Sequence, residues 1–270
     1  EFMKYSLDAY SGLSRLYKAF RYRNRQHRQI IRRQHRLLRN PHAWFLPNSN
    51  FCADQARAGG ADPGHIITLH NGVDTGRFSA DREAGHKLRT NWAVSDSDVV
   101  CRVGAHNLRL KNFQLLAKIF KQLQHSQPDF KLLIAGKHRP RTMPANCHYV
   151  GMPANMPDAY RAADVLLHPT FYDSCANVVL AAMSSGLAVV VSNRCGADEL
   201  IDNGKNGYVL PVTGGDAQIT ENWLSIIQQL GSDRSLREQT GRSARELMRQ
   251  HDFDTYINQF DSILQKLDSG

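Results

Sequence analysis

Apolar positions along the chain follow two different periods. Between residues 13 and 38, Leu13, Leu16, Tyr17, Phe20, Ile30, Ile31, Leu37 and Leu38 keep a loose helical spacing, and Pro41 stops the helix they predict. From residue 98 onward, short runs that are apolar throughout alternate with longer amphipathic stretches. The runs are "DVVCRVGA", "FKLLIAG", "CHYVG", "DVLLHP", "AVVVS" and "GYVLP"; "NFQLLAKIFKQLQHSQ", "MPDAYRAA" and "NVVLAAMSS" lie between them. Strands without a polar face are covered on both sides. Separated by helices, they predict an α/β fold with a doubly wound parallel sheet. Three further helical stretches, "DAQITENWLSIIQQLG", "SLREQTGRSARELMRQ" and "FDTYINQFDSILQKL", close the chain. Between the two regimes, "HAWFLPNSN" reads as a short strand, Asn48 to Asn50 as the cap of a helix "FCADQARAGG", and "HIITLHNGVDTGRF" as an apolar run closing in a tight Asn71-Gly72 turn. Residues 79–97 read as a linker or a helix.

Charge changes the picture of the first helix. The 270 residues carry a formal net charge of +9, which points to an anionic partner. From Ala9 to Ala53 there is no Asp or Glu, while "RLYKAFRYRNRQHRQIIRRQHRLLR" holds ten Lys or Arg. Such a stretch is either a solvated basic face or a docking face for a polyanion, an anionic lipid surface or a phosphorylated acceptor. No eighteen-residue apolar run is present, and no signal-peptide pattern precedes the first helix. The five cysteines, Cys52, Cys101, Cys147, Cys175 and Cys195, form no CxxC pair and read as reduced thiols of a cytoplasmic protein.

In a doubly wound sheet, ligands bind beyond the carboxyl ends of the strands, and three such ends carry chemistry here. After "VVCRVG" come Arg109 and Lys111, a planar fork and a point charge suited to a diphosphate. After "LLIAG" comes Lys137. After "LLHPT" comes "FYDSCANVVLAAMSSGLAVVVS", in which Asp173 precedes a helix that opens on the small residues Ser174, Cys175, Ala176 and Asn177. A helix start with free N–H groups and small side chains accepts a phosphate, Ser174 reads as its N-cap, and Asp173 can reach the hydroxyls of whatever that phosphate carries.

"NGVDTGRF", "VGAHNLRLKN", "LLHPTFYDSCANVVLAAMSSGLAVVVS" and "GADELIDNGKNGYVLP", in that order and spacing, resemble the carboxy-terminal half of a family 4 retaining glycosyltransferase of GT-B fold. Within that family they are similar to the lipopolysaccharide-core glucosyltransferase I type. The resemblance implies a nucleoside-diphosphate-sugar donor, with UDP as the carrier, a glycan or glycolipid acceptor, and no nucleic acid. It implies a cytoplasmic protein peripheral on the membrane's inner face. Lys111 and Arg109 would hold the diphosphate, the amides of Cys175 to Asn177 would face it, and Gly104, Lys137 and Val150 would line the donor pocket. Asp173 would take the place of the first acid of the family's Glu-x7-Glu pair and bind the sugar near its reacting carbon. No metal is implied, because side-chain cations and backbone amides neutralise the leaving diphosphate.

It also implies a division into residues 1–78, the remnant of an acceptor-side domain with its linker, residues 79–250, the donor domain, and residues 251–270, a helix that packs back on the first part. The second acid position is Ala181, which cannot hold a ribose; the lost contact is worth about 1.5–3 kcal/mol. The arginine that often follows the glycine of "VG" is Ala105, and Arg109 stands in for it. The resemblance implies, besides, that most of an amino-terminal domain is missing from this sequence. The alternative function is a catalytically impaired domain of this fold that serves as a nucleotide-binding, partner or membrane-docking module; a sugar-nucleotide epimerase is more distant.

Overall fold

The computed structural model describes residues 25–81, 83–104 and 106–268. Six strands, β1 (Val99–Gly104), β2 (Phe130–Ala135), β3 (Cys147–Gly151), β4 (Val165–His168), β5 (Ala188–Ser192) and β6 (Tyr208–Leu210), form one sheet in the order β3-β2-β1-β4-β5-β6. Every pairing is parallel. The chain runs outward from β1 to β3 and then returns to lay β4 against the other side of β1. The carboxyl ends of β1 and β4 therefore flank the topological switch point, where an open α/β sheet leaves a crevice.

Nine α-helices are described: α1 (Arg25–Leu38), α2 (Asn50–Ala58), α3 (Glu83–Asn91), α4 (Phe113–Ser126), α5 (Met156–Arg161), α6 (Asn177–Ser184), α7 (Asp216–Ser232), α8 (Arg234–Met248) and α9 (Phe253–Asp268). Alternate residues of each strand face opposite layers, as a period of two requires. Cys101, Val103, Leu132, Ile134, Val165, Leu167 and Val190 pack with α4 and with Trp223 of α7. Val100, Leu133, Leu166, Val189 and Val191 pack with Tyr160 of α5, with α6, and with Ala244 and Met248 of α8. Trp223 has no exposed surface and donates its indole N–H to the Pro211 carbonyl at 2.9 Å, so its polar edge is satisfied within the core.

A buried ion pair lies at the amino ends of the strands. Arg89 of α3 meets Asp164 at 2.7 Å, with both side chains under a tenth exposed. The guanidinium also donates to the Ala162, Ser95 and Asp98 carbonyls, and Asp164 accepts the Val100 N–H at 2.9 Å. A buried pair survives when its remaining hydrogen-bonding capacity is filled in this way.

The segment before the sheet departs from the sequence reading in two places. "HAWFLP" forms no strand, only a single parallel bridge from Phe45 to Ile66, because Pro47, whose carbonyl accepts the Leu69 N–H at 2.9 Å, has no N–H with which to extend the ladder. The expected Asn71-Gly72 turn is absent, and the chain turns at residues 75–77 instead. Gly72 serves close packing: a Cβ there would lie 2.7 Å from Cβ of Tyr256 and 2.9 Å from the Asp252 carbonyl. Val73 bridges to Asp252, which holds the start of α9 against this segment. Residues 79–97 resolve into helix α3. The basic helix is described from Arg25, and the part expected at residues 13–24 lies outside the described residues. Among the described residues, no helix is long and apolar enough to cross a membrane.

Candidate functional site

Lys111 and Asp173, on the loops after β1 and β4, meet at the switch point. Lys111 Nζ lies 2.5 Å from Asp173 Oδ2. His168, the last residue of β4, brings its Nε2 to 3.3 Å from the same oxygen and 3.5 Å from Lys111 Nζ. The other carboxylate oxygen, Oδ1, accepts the Ala176 N–H at 2.9 Å. Asp173 therefore occupies the amino terminus of α6 itself, where the helix dipole favours negative charge.

That arrangement corrects the sequence reading of the helix start. α6 begins at Asn177, and its N-cap is Ala176, held in the left-handed region at φ 48° with no side-chain cap. Ser174 is not the cap. The cap comes from Asp173 three residues earlier, because the left-handed turn at Ala176 folds that amide back onto the carboxylate. Of the three amides expected to face a phosphate, that of Ala176 is thus taken by Asp173. The Ser174 carbonyl accepts the Ser49 hydroxyl at 2.7 Å. Cys175 is buried and Asn177 is exposed, its side-chain oxygen accepting from Asn71 at 2.7 Å.

Backbone pairing holds Asp173 in place. Its N–H donates to the Arg194 carbonyl and its carbonyl accepts the Gly196 N–H. Gly196 must be glycine: a Cβ there would fall 1.9 Å from the Ser174 carbonyl oxygen and 2.5 Å from Ser49 Oγ. Beside it, Glu199 accepts the first amides of α2, from Asn50 at 2.8 Å and Phe51 at 2.7 Å, and lies 3.0 Å from His70 Nε2.

The remaining expected residues scatter around this cluster. Gly104 ends β1 at the crevice, where a Cβ would meet nothing within 4 Å, so the backbone there is open to close approach. Arg109 is exposed on the loop that carries Lys111, and Lys137 is exposed beyond β2, one strand further from the switch point. Val150 is half-buried against the α6 side of the core. Ala181 is 5% exposed in the same core layer. It lies one helical turn beyond Asn177 and so shares its face of α6.

Two participants escaped the sequence reading. His168 reads as the polar end of an apolar strand, and its position beside "PT" at a strand's carboxyl end was the available signal. Arg102, inside β1, reads as an interruption of an apolar run. It is 2% exposed, its Nε and Nη1 have no hydrogen-bond partner, and its guanidinium stacks over the Tyr160 ring at 4.1 Å.

Electrostatics follow from burial and these neighbours. Burial lowers the His168 pKa to about 4, with the charges of Lys111 and Arg102 lowering it further and Asp173 opposing. Its ring is neutral at neutral pH. Burial pushes the Asp173 pKa up, but the hydrogen bond from His168 and the charge of Lys111 outweigh it and hold the carboxyl well below its usual range.

A base whose folded pKa lies below its unfolded value binds fewer protons when folded, so stability falls as the pH drops through that interval. His168 therefore contributes a limb over which unfolding free energy falls between about pH 6.5 and 4, by up to about 1.4 kcal/mol per pH unit from this one group. His168→Gln should flatten that limb in denaturant titrations at pH 7, 6 and 5; an unchanged slope would show that His168 does not titrate as described. Asp198, whose pKa burial and Glu199 raise to about 6, loses stability as pH rises over a similar range. It acts equally in both proteins.

Comparison with known proteins agrees with this architecture. Residues 97–229 match the family model for glycosyl transferases group 1. The chain is 26% identical over 207 residues to a D-inositol 3-phosphate glycosyltransferase of Corynebacterium kroppenstedtii, covering 69% of this chain and 45% of that protein. Among solved structures, Anabaena HepE in complex with UDP and glucose superposes with a TM-score of 0.72 at 18% identity, over 82% of this chain and 62% of that one. WaaG, a glycosyltransferase involved in lipopolysaccharide biosynthesis, superposes with a TM-score of 0.72 at 18% identity, over 88% and 66%. Over residues 97–229 the chain is thus similar to glycosyl transferases group 1, and its sheet has the GT-B form. It spans about half the length of the curated relatives it matches.

Proposed function

We propose that this chain is the donor-binding half of a retaining glycosyltransferase that takes a UDP-sugar and acts in lipopolysaccharide or related glycan assembly. The observation that carries the reading is the Lys111–Asp173 pair seated on the amino end of α6 at the sheet's switch point. A cation and a carboxylate placed side by side can address the two halves of a nucleoside-diphosphate sugar. Lys111 pairs with the diphosphate and stabilises the charge that develops on it as the glycosidic bond breaks. Asp173 accepts hydrogen bonds from hydroxyls of the sugar, and His168, neutral and buried, holds the carboxylate from 3.3 Å. The reading needs no metal, since Lys111 and the amino end of α6 supply the positive charge.

UDP and glucose in HepE and the lipopolysaccharide role of WaaG support the choice of donor and pathway class. The acceptor, a glycan or glycolipid, would be held by the remainder of an enzyme of the relatives' length. Helix α1 exposes Ile30 and Leu37 beside Arg32, Arg33 and Arg36, which suits an anionic membrane surface near that acceptor. Ala181 favours a second reading, a domain that binds nucleotide weakly and serves as a docking module.

The test is calorimetric titration of Lys111→Ala with UDP and with uridine. A charge-assisted contact is worth about 1.5–3 kcal/mol, so UDP affinity should fall about tenfold or more while uridine affinity changes little. Equal losses for both ligands would remove Lys111 from the diphosphate.

A further inference from the structure

Arg102 is the most poorly satisfied charge near the site. Its neighbours in the parallel register are Leu133 on β2 and Leu166 on β4. Both belong to the core layer that also holds α6 and Tyr160. The guanidinium therefore lies between sheet and helices, on the face that carries His168. His168 stands two residues beyond Leu166 on the adjacent strand, level with Gly104 at the mouth of the crevice. Two residues of parallel strand rise about 6.6 Å, which an extended arginine side chain spans.

Arg102 already acts on the cluster through space, since its charge is one of those that lower the His168 pKa. The Tyr160 ring, itself held edge-on by Phe78 at 5.6 Å, offers a cation a resting surface, but it cannot accept the Nε and Nη1 hydrogens in their own plane. A buried guanidinium with two donors unfilled is retained at a cost to stability. β1 would pack better with an apolar residue at this position.

We propose that Arg102 is a diphosphate-binding residue, rising from the α6 face of the sheet beside His168 to place its unfilled donors on the phosphate that Lys111 holds. The proposal rests on the donor reading above. It explains why the position after Gly104 can be Ala105: the guanidinium comes from inside the strand rather than from the loop. It also explains why the strand tolerates a charge there, because the ligand is the missing acceptor.

The experiment uses Arg102→Met and Arg102→Lys in the full chain, with thermal unfolding of the ligand-free proteins and titration with UDP, uridine and inorganic pyrophosphate. Arg102→Met should unfold at the same or a higher temperature than the unaltered chain. It should lose about tenfold or more in UDP and pyrophosphate affinity and keep its uridine affinity within about twofold. Arg102→Lys should recover part of the lost affinity. The proposal is overturned if Arg102→Met melts lower and binds UDP as before, which would make Arg102 the cationic anchor of Tyr160. It is also overturned if UDP and uridine affinity fall together. If the unaltered chain binds neither UDP nor pyrophosphate, the donor reading itself fails, a result distinct from either.

Discussion

Asp173→Asn is expected to bind UDP more tightly than the unaltered chain, with a smaller gain for UDP-glucose than for UDP. In the ligand-free site Lys111 is already neutralised by Asp173, so a diphosphate must break that pair before it can gain the lysine. Side-chain exposures of 17% and 20% place the pair between a surface bridge and a buried one. Its attraction, partly screened, is then worth about 1–2 kcal/mol, or roughly tenfold in affinity. Asparagine keeps the carbonyl oxygen that caps the Ala176 amide, so the turn survives while the competing charge is removed. A sugar-bearing donor gains less, because it forfeits the carboxylate that would hold its hydroxyls. Titration of both ligands against both proteins reads the difference. Weaker UDP binding by Asp173→Asn would mean that Asp173 does not compete for Lys111.

Ala181→Glu should destabilise the ligand-free chain and repay the loss when a ribonucleotide binds. The position is 5% exposed among apolar neighbours, and a carboxylate there without partners costs about 1–3 kcal/mol. Because Ala181 lies on the Asn177 face of α6, the new side chain can extend along the helix toward its open amino end. Two ribose hydroxyls would then satisfy it. UDP affinity should rise about ten- to a hundred-fold, with little gain for the 2′,3′-dideoxy analogue. Unfolding temperatures with and without each nucleotide provide an independent readout. Equal gains for both nucleotides would take the ribose away from position 181.

Much of this was legible from period alone. All six strands, the helices between them and a doubly wound parallel sheet follow from apolar runs too uniform to have a wet face; the strand order, and with it the switch point, comes from the structure. Lys111 and Asp173 were legible as residues at strand ends, but their contact was not, since nothing local in sequence says that two loops 62 residues apart converge. The helix start was misread for a related reason. Ser174 is the usual kind of cap, whereas the cap used depends on a left-handed turn at Ala176, a residue type that rarely adopts one. "HAWFLP" failed as a strand because apolarity says nothing of pairing, and Pro47 cannot donate the hydrogen bond that would continue the ladder with residues 65–69. His168 and Arg102 were hidden by their surroundings: each is a polar residue inside an apolar run, and a run is read by its majority.

The fastening of α2 carries a mechanical consequence. Ser49 grips the Ser174 carbonyl next to Asp173, and Glu199 grips the amide end of α2 from the strand-end loop. The two clasps use different atoms on different segments, so α2 can neither slide nor swivel without dragging the rim. Force applied to the chain ahead of the sheet therefore arrives at Asp173 as displacement, with little compliance between. α2 is a handle on the loop that carries Asp173.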